Sequence, residues 1–174
     1  MTSTLRVPWY THGNWKLDKQ ELKDLEKNLL INKNKRGLYT TYAQNNKHLK
    51  FLKNFYQGIV DEICKEQTIY TKSKIKYEFW IQIYDKYSEH PIHDHFNMNQ
   101  NTVISWVHFL KVTDTTVFRF TDGINTVIPP QEEGDLIVFP SYVSHQVANH
   151  NFDFNRIVVA GNISLMSIQE PIIK

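Results

Sequence analysis

Three histidines lie within six residues in the run His90-Pro91-Ile92-His93-Asp94-His95, and His145 follows fifty residues after the last of them. His93 and His95 are two positions apart, so on an extended strand both imidazoles face the same side. Neutral imidazole is a good ligand for iron, zinc and copper, and open-sided metal centres commonly use three protein ligands. A histidine returning on a neighbouring strand, as His145 does if Ser144-His145-Gln146 is extended, would complete such a set. Asp94 sits between the pair and points to the opposite face; it becomes the alternative ligand only if the backbone there leaves strand geometry. His90 precedes Pro91 and reads as part of the turn that delivers the pair. A polar turn with incidental histidines is the plainer reading of any one of these residues, and it is their combination that weighs against it. Eleven residues after His145 comes Arg156. A hairpin through residues 149–155 would bring it toward the deep side of the same pocket, where a guanidinium can grip a carboxylate with two parallel hydrogen bonds.

These residues need a β-scaffold, and the second half of the chain reads as one. Ile75, Tyr77, Phe79, Ile81 and Ile83 alternate with Lys76, Glu78, Trp80, Gln82 and Tyr84, the period-two pattern of a long strand with one apolar face. Strand-like runs follow at 102–112, 116–121, 125–128, 135–139, 143–148 and 156–163. They are separated by turn signals such as Asp122-Gly123, Pro129-Pro130 and Glu133-Gly134. The first half is different. Residues 5–15 read as a strand or extended arm. Asp18, with Glu21 three residues on, marks the start of a helix over 18–30 carrying Leu22, Leu25, Leu29 and Leu30. A second helix over 46–65 carries Leu49, Leu52, Phe55, Tyr56, Ile59 and Ile63, with an inert Cys64 at its end. Two helices followed by many short strands predict a mainly β α+β fold: an antiparallel sandwich or jelly roll with the helices packed on one sheet. Residues 1–174 are expected to form a single domain, with 1–68 as helical support and 69–168 as the jelly-roll core.

Composition narrows the function classes. A net charge of +2 with lysines interspersed among acids gives no nucleic-acid footprint. No apolar stretch approaches the roughly 20 residues that span a bilayer, and residues 1–6 lack the apolar centre of a signal peptide. A single cysteine excludes an internal disulfide and fits a reducing cytoplasm. Among the other histidines, His108 on strand 102–112 is read as a satisfied core residue or a pocket residue, and His12, His48 and His150 as surface residues. Trp106, Phe118 and Phe139 are candidate pocket walls. Loops 85–101 and 149–155 are the candidate rim.

The order of these pieces resembles the Fe(II)- and 2-oxoglutarate-dependent oxygenases, most closely their small bacterial and phage-type members. The resemblance rests on His90-Pro91-Ile92-His93-Asp94-His95, then Ser105-Trp106-Val107-His108-Phe109-Leu110. It continues through Gly134-Asp135-Leu136-Ile137-Val138-Phe139-Pro140-Ser141, Ser144-His145-Gln146-Val147 and Arg156-Ile157-Val158-Val159-Ala160-Gly161-Asn162. It covers about residues 75–165. It implies a double-stranded β-helix, iron held by His93, His95 and His145, and Arg156 on the distal carboxylate of the cosubstrate 2-oxoglutarate. The implied reaction is O2-dependent hydroxylation of a protein side chain or a small molecule. Two departures stand out. Most of that superfamily has a carboxylate where this chain has His95. Many members have Ser two residues after the Arg, where this chain has Val158; the hydroxyl of Tyr84, Ser105 or Thr116 is the candidate substitute. Two rival readings remain at this stage. One is a cupin-like metalloenzyme with no use for 2-oxoglutarate, and the other is a non-catalytic jelly-roll binding protein.

Overall fold

The structure is a computed structural model describing residues 5–31, 37–42, 50–67, 74–96, 101–112, 114–149 and 151–166. Helix α1 (Lys19–Ile31) starts where Asp18 caps it. The Asp18 carboxylate accepts the Gln20 amide at 2.7 Å, while Glu21 reaches back to the Asp18 amide at 3.2 Å, which satisfies backbone donors the first turn leaves unpaired. Helix α2 (Lys50–Glu66) follows; the expected start at 46–49 falls outside the described residues.

Ten strands are present among the described residues: β1 (Tyr10–Asn14), β2 (Tyr39–Thr40), β3 (Lys74–Tyr84), β4 (His90–His93), β5 (Thr102–Lys111), β6 (Phe118–Thr121), β7 (Thr126–Val127), β8 (Asp135–Pro140), β9 (His145–Val147) and β10 (Arg156–Met166). They form two antiparallel sheets. One has six strands in the order β1-β8-β5-β10-β3-β2, and the other has four in the order β4-β9-β6-β7. The central strands β5 and β10 are buried at nearly every position because both of their faces are covered. One face of the six-stranded sheet presents Ile81, Ile83, Trp106, Val159 and Ile163 to Leu25 and Leu29 of α1 and to Leu52, Tyr56, Ile59 and Ile63 of α2. The other face presents Trp80, Tyr84, Val107, Phe109, Val158 and Ala160 to Phe118, Phe120 and Val147 of the four-stranded sheet. The candidate site lies in this second layer.

The alternation decides several side chains that spacing alone left open. Trp106 is fully buried on the helix side, stacked on Tyr56 at 5.1 Å, so it is no pocket wall. His108 shares that face. Its Nε2–H donates to the Trp15 carbonyl at 2.6 Å, leaving Nδ1 to accept the Tyr56 hydroxyl at 2.8 Å, so the neutral ring is fully satisfied. His12 is not a surface residue: it is 5% exposed, stacked on Trp15, with Nδ1 at 2.8 Å from the Glu66 carboxylate. His48 and His150 lie outside the described residues. Cys64 is buried at the end of α2, and burial pushes its thiol pKa up, as an inert thiol requires.

His108 carries a pH dependence. Burial lowers its pKa to about 4 from the usual 6.5. The unfolded chain then binds a proton that the folded chain refuses between those values. The stability His108 contributes is therefore complete above pH 6.5 and lost as pH falls through the interval, by about 3 kcal/mol at pH 4. Urea unfolding at pH 7 and pH 4 should show a smaller acid loss in His108→Gln, which keeps a donor and an acceptor but cannot titrate. Equal losses in the two proteins would refute the assignment.

Candidate metal centre

Strands β4 and β9 pair so that His93 lies directly opposite His145. His95 comes just past the end of β4, where its amide donates to the Ser141 carbonyl at 2.9 Å and keeps the backbone extended. The three rings converge: centroid separations are 4.3 Å for His93–His145, 5.2 Å for His93–His95 and 5.1 Å for His95–His145. One nitrogen from each lies within 4.8 Å of the others. Asp94 is exposed at the rim of the adjoining cavity and outside the cluster of rings, its carboxylate accepting the Phe96 amide at 3.0 Å. Among the described residues, then, the set brought together is three imidazoles, with Asp94 outside it.

Each ring is held in one tautomer by an oxygen at Nδ1. His93 Nδ1–H donates to the Pro91 carbonyl at 2.8 Å, and His145 Nδ1–H donates to the Val143 carbonyl at 3.1 Å. His95 Nδ1–H donates to Asn162 Oδ1 at 2.8 Å, with the Ser105 hydroxyl at 3.2 Å. With Nδ1 committed three times, Nε2 is left as the lone-pair donor three times, which is the arrangement metal-bound imidazoles need. Burial is also the main cause that lowers the pKa of His95 and of His145, and it keeps both in the neutral, ligating form.

The supports reach further back. Asn162 projects from β10 on the same side as Arg156, and its Nδ2 donates to the Glu78 carboxylate on β3 at 3.3 Å, which fixes the amide so that Oδ1 faces His95. Ser105 on β5 donates its hydroxyl to the same Oδ1 at 2.9 Å. Sequence reasoning named Ser105 as a candidate hydroxyl for the cosubstrate. The register instead pairs it with Asn162, six residues along β10 from Arg156, where it buttresses His95. Thr116 is ruled out more simply: it is exposed in the turn before β6 with its hydroxyl on Asp114.

Arg156 occupies the opposite end. It opens β10, is fully buried, and none of its three guanidinium nitrogens has a hydrogen-bond partner among the described residues. The rings of Tyr84 and Phe109 lie 5.4 and 5.3 Å from its central carbon. Burial lowers its pKa to about 10, which still leaves it charged at neutral pH. Tyr84 stays with Arg156, its hydroxyl donating to Gln82 Oε1 at 2.9 Å; burial is the main influence on that phenol and pushes its pKa up.

Two spaces that share Trp80, Gln82, His90, His93 and His95 as walls flank the triad. An inner chamber of about 20 Å³ is lined by Tyr84, Val107, Phe118, Val158 and Arg156, with the three histidines among its walls. An outer cavity of about 410 Å³ opens from the triad past Trp80, Glu78, Tyr42 and Phe96. Phe118 and Phe139 pack on His145 at 5.6 and 5.0 Å, as an apolar backing. Sequence reasoning missed several of these residues. His90 is no mere turn residue: its ring stacks on His93 at 4.0 Å and lines both spaces. Leu38, Thr40 and Tyr42 also line the outer cavity, carried there by β2 pairing with β3, while no described residue of loop 149–155 does. The run Leu38-Tyr39-Thr40-Thr41-Tyr42 after Gly37 was the available signal, a short aromatic and β-branched strand.

With this geometry in place, the likeness to known structures has a physical content. A prolyl-4-hydroxylase from Pseudomonas putida superposes with a TM-score of 0.62 at 15% identity, covering 91% of this chain and 92% of that one. The fold is that of the 2-oxoglutarate/Fe(II) oxygenases. A member of that oxygenase family from Burkholderia pseudomallei gives 0.66 at 15% identity, covering 90% of this chain and 84% of that one. The viral collagen prolyl hydroxylase of Paramecium Bursaria Chlorella virus-1, solved with 2-oxoglutarate, gives 0.66 at 14% identity, covering 91% and 96%. No protein-family model matches the chain, and no curated protein matches its sequence. Among the described residues no helix is long and apolar enough to cross a membrane.

Proposed function

We propose that the protein is an Fe(II)- and 2-oxoglutarate-dependent oxygenase that hydroxylates a protein side chain or a small molecule. The observation that carries this reading is the fully buried guanidinium of Arg156, which has no hydrogen-bond partner among the described residues and lies in a chamber walled by three convergent imidazoles. A buried charge without a partner is expensive, and a ligand carboxylate is the group that would make up its hydrogen bonds. A metal centre that did not use a dicarboxylate would give Arg156 no task.

The residues fit both groups in chemistry. His93, His95 and His145 would hold the metal through Nε2, and Arg156 would hold the distal carboxylate with paired N–H donors. The chamber has room for about one water as it stands, so binding requires its walls to move apart. When bound, iron and 2-oxoglutarate supply O2 activation coupled to oxidative decarboxylation, which yields succinate, CO2 and a hydroxylated product. The chain's own contribution is positioning. Pro91, Val143 and Asn162 fix the three tautomers, Phe118 and Phe139 keep water from the buried side of His145, and the outer cavity admits the substrate.

The test combines metal content with turnover. The purified protein should carry one equivalent of divalent metal, and the His93→Ala/His145→Ala double variant should carry none. With Fe(II) and O2 it should convert 2-oxoglutarate to succinate, and Mn(II) plus 2-oxoglutarate should raise the melting temperature above that with Mn(II) alone. Stoichiometric metal without any 2-oxoglutarate-dependent shift or succinate would instead favour a three-histidine cupin-like enzyme. Absence of metal would leave a binding protein.

A further inference from the structure

Resting on the oxygenase reading, we propose that the outer cavity recognises a cationic nitrogen on the substrate: an ammonium, a methylated ammonium or a guanidinium. Two kinds of side chain around the cavity point to this. The first is aromatic. Trp80 lies between His95, 5.6 Å away, and Tyr42, 5.0 Å away with its ring at 73°, so the indole and the phenol form a corner directly beside a metal ligand. Phe96 lines the same cavity. Tyr42 and Phe96 are 54% and 57% exposed, large aromatic surfaces that the core does not use. Perpendicular aromatic walls attract a cation through their ring faces, most strongly when one wall is an indole.

The second is charge. Glu78 and Asp94 line this cavity and no described lysine or arginine does. Glu78 gives one oxygen to Asn162 at 3.3 Å, and neither carboxylate is in an ion pair among the described residues. The metal centre does not cancel their field. Three neutral imidazoles leave a divalent ion and a doubly charged 2-oxoglutarate to neutralise each other, and Arg156 lies away from this cavity in the inner chamber. An anionic substrate would meet two carboxylates, and a neutral one would cover Glu78 without compensating it. A cation would compensate the carboxylates of this cavity and meet its ring faces.

Choline and its uncharged isostere 3,3-dimethylbutan-1-ol test this by titration against protein loaded with Mn(II) and N-oxalylglycine, followed by calorimetry. Choline should bind at least about tenfold tighter. Tyr42→Leu and Glu78→Gln should each weaken choline roughly three- to tenfold while leaving the alcohol unchanged. Mn(II) affinity, measured on the same samples, should hold in Tyr42→Leu, which shows that the site itself survives. Equal affinity for the two probes, or no choline binding to a protein that binds Mn(II) and N-oxalylglycine, overturns the proposal. A choline preference in a protein that binds no N-oxalylglycine keeps the cation site and removes the oxygenase reading.

Discussion

Arg156→Met should abolish 2-oxoglutarate binding and at the same time make the ligand-free protein more stable. Burial holds the guanidinium at about 10 against its usual 12.5, and a difference of that size amounts to about 3 kcal/mol of unfavourable energy for the charged form. Methionine keeps much of the volume between the Tyr84 and Phe109 rings and removes the charge. Some of the gain is offset by the lost contact of the cation with those two ring faces, so a net stabilisation of about 1–3 kcal/mol is expected in urea unfolding. The affinity for 2-oxoglutarate should fall by at least about a hundredfold, the loss of a charge-assisted bidentate pair. Metal content should not change, because Arg156 touches none of the three ligating nitrogens. A variant that is destabilised in the absence of ligand and still binds 2-oxoglutarate would mean that Arg156 serves packing alone.

Gly161→Val should be the most damaging substitution in the sheet. Gly161 lies on β10 on the face turned to the helices, beside the Trp106 ring that stacks on Tyr56. A β-carbon at this position would sit 2.7 Å from the Glu78 carbonyl oxygen and closer still to the indole. Neither can yield cheaply: the first is backbone of the adjacent strand, and the second is locked between sheet and α2. A loss of about 3 kcal/mol or more is expected, equivalent to roughly 6–12 °C in melting temperature for a chain of this size. Adding Trp106→Leu to Gly161→Val should restore part of the loss but not all, since the carbonyl contact remains. Strict additivity of the two substitutions would show that the indole is not what Gly161 accommodates.

The parts of the fold that could be read from the sequence are those where one local pattern has one solution. The Asp18 and Glu21 pair begins a helix where expected, and the alternation from Ile75 to Tyr84 separates its two faces correctly, because period two allows no other arrangement for a strand; the second face, expected to be the polar one, is nonetheless buried at Trp80, Gln82 and Tyr84. His93, His95 and His145 converge because two of them share a strand parity and the third returns on the partner strand. What sequence could not supply was register between distant strands. Ser105 and Trp106 are neighbours in sequence and face opposite layers, so one supports His95 while the other packs on a helix. His12 looked like a surface residue because nothing near it in sequence shows that Glu66 and Trp15 close over it. Asn162 stood at the end of a recognisable strand, but its task depends on pairing with Ser105 and Glu78 across two other strands.

Strand β10 also works as a ruler. Arg156 and Asn162 sit on the same side of one unbroken strand, six residues apart, or roughly 20 Å at the usual rise. The residue that would seize the far end of a diacid and the residue that aims His95 are thus spaced by covalent geometry rather than by the packing of two sheets. His93 and His145 stand on the facing sheet, so the distance from Arg156 to the metal position follows from how the two sheets pack as well as from the strand.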